Sequence, residues 1–97
     1  MTEKYRYEEF TWPEIRDAVK QQRVAVLPVG TVEQHGPHLP LATDRMIAEH
    51  FAAQLHARLG SGVLVLPTVA VGCSEHHMEF AGSLTLDHAT FIAAAAQ

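Results

Sequence analysis

Apolar and polar positions change their period along this chain in a way that maps its elements. Trp12, Ile15 and Val19 recur at helical spacing among polar neighbours. Thr11 precedes them with Glu14 three residues on, which is an S/T-x-x-E capping box, and Pro13 is tolerated in a first helical turn. A short helix to about Gln22 is predicted. V-A-V-L-P-V-G (Val24–Gly30) is apolar on both faces, β-branched and short, as the buried strands of parallel sheets are. Pro28 belongs at the end of that strand, because it cannot donate to a ladder. Ile47, Phe51, Leu55 and Leu59 then step by four, with Thr43 or Asp44 in place to cap and Gly60 at the stop. This predicts a helix from Asp44 to Leu59. Residues 63–71 return to a strand pattern broken by Pro67, and S-L-T-L (83–86) suggests a further short strand. Asp87 caps a final helix, D-H-A-T-F-I-A-A-A-A-Q.

Strands alternating with helices indicate an α/β layered fold, with a mostly parallel sheet and flanking helices. A right-handed crossover is expected to join the two main strands. Ligands in such folds bind beyond the carboxyl ends of the strands. The loops E-Q-H-G and S-E-H-H each follow a predicted strand. Both are therefore expected on one edge of the sheet. Residues 1–97 read as one domain, but two main strands make a thin sheet, and parallel sheets need cover on both faces. The pattern is that of the front part of a larger α/β domain.

Composition narrows the function classes. Hydrophobic residues make up 47% of the 97, enough for one core, and no segment has a disordered composition. The formal charge is −4 and no Lys/Arg stripe is present, which argues against nucleic acid as a partner. The longest apolar run is too short to span a bilayer and contains Pro67, so no membrane role is expected. The polar N-terminus lacks a signal-peptide core, and the single cysteine, Cys73, excludes an intrachain disulfide. Both fit a cytoplasmic setting.

Seven histidines match seven Lys+Arg, so their positions matter. In extended chain, Glu33 and His35 point the same way, aiming a carboxylate and an imidazole at one point. Such a donor pair suits Zn, Mn or Fe better than Mg or Ca. Gly36 and Pro37 turn the chain, and Asp44 returns at a helix start, where a carboxylate can bridge two cations. The plainer alternative is that Asp44 only caps and the other two are solvated. His38 either orients a ligand or packs on Pro37 and Pro40. In the second loop, Ser74 and His77 suit substrate binding, or a proton relay through His77. A polar turn for His76 and His77 is the alternative. The absence of G-x-S-x-G weighs against a serine hydrolase. Cys73, His50 and His56 read as packing residues.

V-G-T-V-E-Q-H-G-P-H-L-P-L-A-T-D closely resembles the signature of the creatininase (creatinine amidohydrolase) family. S-E-H-H-M-E-F-A-G-S-L-T-L is similar to that family's second loop, and T-W-P-E to its opening helix. The likeness covers nearly the whole chain. It differs at His76, which replaces a usual Glu, and at Ala81 and Ser83, which replace Pro and Thr. The resemblance implies an incomplete creatininase-like domain and a hydrolase using two divalent ions, Zn or Mn with Fe as a further choice. It implies Glu33 on one metal, His35 on the other, Asp44 bridging both, and a metal-bound water attacking a C–N bond. The bond belongs to a cyclic amide, a formamide or a peptide. Ser74 and His77 match positions that line the substrate pocket, and family members form homo-oligomers. The family's remaining His-x-Glu ligand pair has no counterpart after His88, because family members are more than twice this long. The rival expectation is a truncated, non-catalytic α/β module that binds a metal or a partner; a third is that a separate chain supplies the other half.

Overall fold

The computed structural model describes residues 4–96. Its first helix, α1 (Trp12–Lys20), begins as its sequence dictates. The Thr11 hydroxyl accepts from the Glu14 N–H, and the Glu14 carboxylate accepts from the Thr11 N–H at 2.8 Å. Strand β1 (Val24–Val26) follows, then helix α2 (Thr43–Leu59), strand β2 (Val63–Val65) and helix α3 (His88–Ala96). Asp87 opens α3 by accepting from the Thr90 N–H at 2.7 Å. Short 3-10 turns at Tyr7–Glu9, Gly60–Gly62 and Glu75–His77 complete the order.

The two strands pair in parallel, Val24 opposite Val63 and Val26 opposite Val65. Pairing breaks at Pro28 and Pro67 and resumes as a single parallel bridge, Val29 to Val69. The register has slipped by one residue across that break, as in a β-bulge. Bonds from Val69 N–H to the Pro28 carbonyl (2.9 Å) and from Gly30 N–H to the Val69 carbonyl (2.8 Å) keep the chains together beyond it. The segment before α1 adds to the far side of β2 through an Arg6–Val65 bridge. Parallel strands deliver both following loops to the same end of the sheet.

The core is small. It comprises Val63, Leu64 and Val65 of β2 with Ala52 of α2, which packs on that strand, and Ala18 of α1. Three expectations need correction. β1 is not buried, because nothing among the described residues covers its outer side, and Val24 is 64% exposed. The apolar stripe of α2 is not its buried face: Ile47, Phe51, Leu55 and Leu59 are all exposed, and the buried residue of the helix is Ala52. S-L-T-L is not a strand; only Leu84 pairs, in an antiparallel bridge to Val32.

Candidate metal centre

Backbone contacts bring the E-Q-H-G loop against the start of α2. Gly30 makes this approach feasible, because a Cβ there would lie 2.6 Å from the Arg45 Cα. Gly36 then takes the left-handed conformation at φ 78°, where an L side chain is strained, and turns the chain after His35. The second loop is tied to the first by the Leu84 N–H donating to the Val32 carbonyl at 2.8 Å. The Gln34 N–H adds a bond to the Ser83 hydroxyl at 3.1 Å.

Glu33, His35 and Asp44 meet at this end of the sheet, one donor atom from each lying within 4.8 Å of the others. His35 Nε2 is 3.2 Å from Asp44 Oδ2 and 3.9 Å from Glu33 Oε1. Asp44 is not the helix cap. Ala42 holds the N-cap position with no side-chain cap bond, and the Thr43 hydroxyl donates instead to the Pro40 carbonyl at 2.5 Å. The Asp44 carboxylate, in the first turn, accepts from the Thr31 hydroxyl at 2.5 Å and faces His35. The Thr31 hydrogen bond holds its pKa below the ordinary carboxylate value, helped by His35 and opposed by burial.

Glu33 has the least comfortable environment. It is 8% exposed, and its Oε2 has no hydrogen-bond partner. Buried polar atoms are normally paired, and a carboxylate most of all. On that side His77 Nε2 lies 3.7 Å away, and Glu33, His76 and His77 form a second cluster with metal-ligand spacing. Two carboxylates, imidazole and an orphaned buried oxygen fit a divalent transition cation. Ser74 is fully buried, with its hydroxyl unpaired and its N–H donating to the Thr85 hydroxyl at 2.8 Å.

His38, His50 and His56 stay apart from these clusters. His38 is exposed on the loop, and His50 is exposed on α2. His56 stacks on Tyr5 with ring centroids 4.2 Å apart and contacts the Gly60 carbonyl, a packing role as expected. Sequence reasoning missed Thr31 and Gln34. Thr31 precedes Glu33 by two residues, the same parity that pairs Glu33 with His35, and that signal was present. The Gln34 contact with His77, 2.9 Å across 43 residues, left no local trace.

The creatininase family model, described as creatinine amidohydrolase, matches residues 8–97. The mycofactocin precursor peptide peptidase of Mycobacterium ulcerans (strain Agy99) is 40% identical over 83 residues, covering 78% of this chain and 29% of that protein. The creatinine amidohydrolase of Pseudomonas putida is 32% identical over 88 residues, covering 84% and 33%. A solved creatininase structure in an Mn form superposes with a TM-score of 0.81 at 30% identity, covering 91% of this chain and 36% of that one. The chain thus spans about a third of the length of its relatives. Its parallel strands carry two loops to one sheet end, and both loops and the helices around them fall within the matched region. The chain belongs to the creatininase family.

Proposed function

We propose that this chain carries the first part of the site of a metal-dependent amidohydrolase that cleaves a C–N bond in a cyclic amide, a formamide or a peptide. The observation that carries this reading is the convergence of Glu33, His35 and Asp44, with a Glu33 oxygen buried and unpaired. Glu33 and Asp44 would share one divalent ion, and His35 and Asp44 a second, Zn or Mn. Such ions supply Lewis acidity, polarising a carbonyl oxygen and lowering the pKa of water. The chain's own residues hold the geometry. Thr31 keeps Asp44 ionised and aimed at His35, and burial keeps competing solvent from Glu33. His77, beside Glu33, would contact the substrate. Ser74 offers a hydroxyl with no internal partner, and a substrate contact requires local opening around it. The two relatives described above act, by their names, on a peptide and on creatinine. An amide C–N bond is the chemistry common to both.

No helix among the described residues is long and apolar enough to cross a membrane. We read the working protein as a cytoplasmic homo-oligomer and residues 1–97 as one unit of its α/β domain. A second reading, a metal- or partner-binding module without turnover, draws on the ligand count: each ion would find only two of these three side chains. Metal analysis combined with turnover of creatinine, a formamide and a peptide amide tests both. Asp44→Asn is expected to lose metal and activity together, since both ions would share that side chain. Unchanged turnover with full metal content in the variant refutes the reading. Retained metal without turnover in the parent protein favours the module.

A further inference from the structure

The side chain of Gln34 carries information about His77 that does not depend on a bound ion. The backbone N–H of Gly36 lies 3.0 Å from one terminal atom of Gln34. A backbone N–H only donates, so that terminal atom is the amide oxygen. The other end is therefore the NH₂ group, which only donates, and it lies 2.9 Å from His77 Nδ1. A neutral imidazole carries one lone pair and one N–H. His77 Nδ1 must hold the lone pair, and Nε2 must hold the proton. His77 Nε2 is 3.7 Å from Glu33 Oε2, too far for a direct hydrogen bond.

We propose that Gln34 is a positioning residue that locks His77 as the Nε2–H tautomer, so that His77 offers the site a hydrogen-bond donor and not a metal-binding lone pair. This separates two clusters that spacing alone makes equivalent. Glu33, His35 and Asp44 remain available to a cation. Glu33, His76 and His77 do not, because the only free nitrogen lone pair of His77 is already taken by Gln34. What His77 can recognise is an acceptor, and the carbonyl oxygen of an amide is the acceptor the proposed substrates share. The inference rests on the proposed function for the identity of that acceptor, and not for the tautomer itself.

The test is a long-range ¹H–¹⁵N correlation spectrum of the metal-free full chain, labelled with ¹⁵N at histidine. It is recorded at alkaline pH, where imidazoles are neutral. The expected result for His77 is a protonated Nε2 and an unprotonated Nδ1. A protonated Nδ1, or an equal mixture, overturns the proposal without recourse to any variant. Gln34→Glu supplies the second arm. A carboxylate only accepts, so His77 Nδ1 should take up a proton, and a neutral Nε2–H form persisting in that variant also overturns the proposal. Turnover separates the two levels. His77→Ala should lower kcat about 100-fold if the donor meets a developing charge. Unchanged kcat with the expected tautomer would remove His77 from the reaction and leave its locking by Gln34 intact.

Discussion

Glu33 shows at the scale of one residue how a site can cost its own fold. Its carboxylate is buried against His35, Asp44 and His77, and one oxygen has no partner. An unpaired buried charge destabilises, and replacing it with a neutral group of similar shape relieves that. Glu33→Gln is therefore expected to act in opposite directions on two measurements. In chelator-treated protein it should stabilise by about 1 kcal/mol, read by urea denaturation. In the same variant, Zn or Mn affinity should fall about 100-fold, read by titration calorimetry. If the variant is less stable without metal, the Glu33 carboxylate supports the fold and does not strain it. Thr31 belongs to the same balance, because its hydroxyl satisfies Asp44 and leaves Glu33 as the unsatisfied member of the pair.

At the scale of elements, close approach decides where the ligands meet. A Cβ on Gly30 would lie 2.6 Å and 2.7 Å from backbone atoms of Arg45, which cannot swing away as a flexible side chain could. Gly30→Ala should push α2 from the loop, costing about 1–3 kcal/mol by thermal unfolding and weakening metal binding with it. An unchanged melting temperature would show that the two segments are free to separate. The opening of α1 yields a pH prediction. The Thr11 N–H and then Lys4 hold the Glu14 carboxyl down to about 2, from the ordinary 4.5. A depressed folded pKa contributes stability above the unfolded value and loses it as the group protonates. The Glu14 contribution is thus complete above pH 4.5 and lost as pH falls toward 2. Carboxyl NMR should place the Glu14 midpoint near 2, and Lys4→Met, which removes the ammonium that bonds both carboxylate oxygens, should move it up. These elements were legible because their signals are local: the capping box, the helix stop at Gly60, the Asp87 cap, and prolines at strand ends. The convergence of the two loops was legible from strand order alone. The buried face of α2 was not. Its stripe of large apolar residues is exposed and the buried residue is small Ala52, a choice set by packing partners and not by periodicity. Asp44 as a cap failed for a similar reason, since Thr31, thirteen residues away, competes for its oxygens.

The whole molecule is open. Its radius of gyration is 15.5 Å, where a compact chain of about 100 residues has about 13 Å. Its accessible surface is 6745 Å², where a compact protein of this mass exposes about 5,500 Å². Large apolar side chains lie outside on several elements: Trp12 and Val19 on α1, Val24 on β1, Phe51 on α2 and Ile92 on α3. Stability of this chain by itself must therefore come from the few residues that are inside, and the hydrophobic pattern is a poor guide to which they are. Two substitutions separate pattern from burial. Val65→Ala removes two methyl groups from a site 5% exposed, and should cost about 2 kcal/mol. Phe51→Ala removes a much larger side chain from a site 60% exposed, and should change stability by less than about 0.5 kcal/mol. Urea denaturation of the 97-residue chain measures both. The order is the reverse of what residue size suggests, so a larger loss at Phe51 than at Val65 would show that the apolar face of α2 is covered in solution, by a contact this single chain does not make.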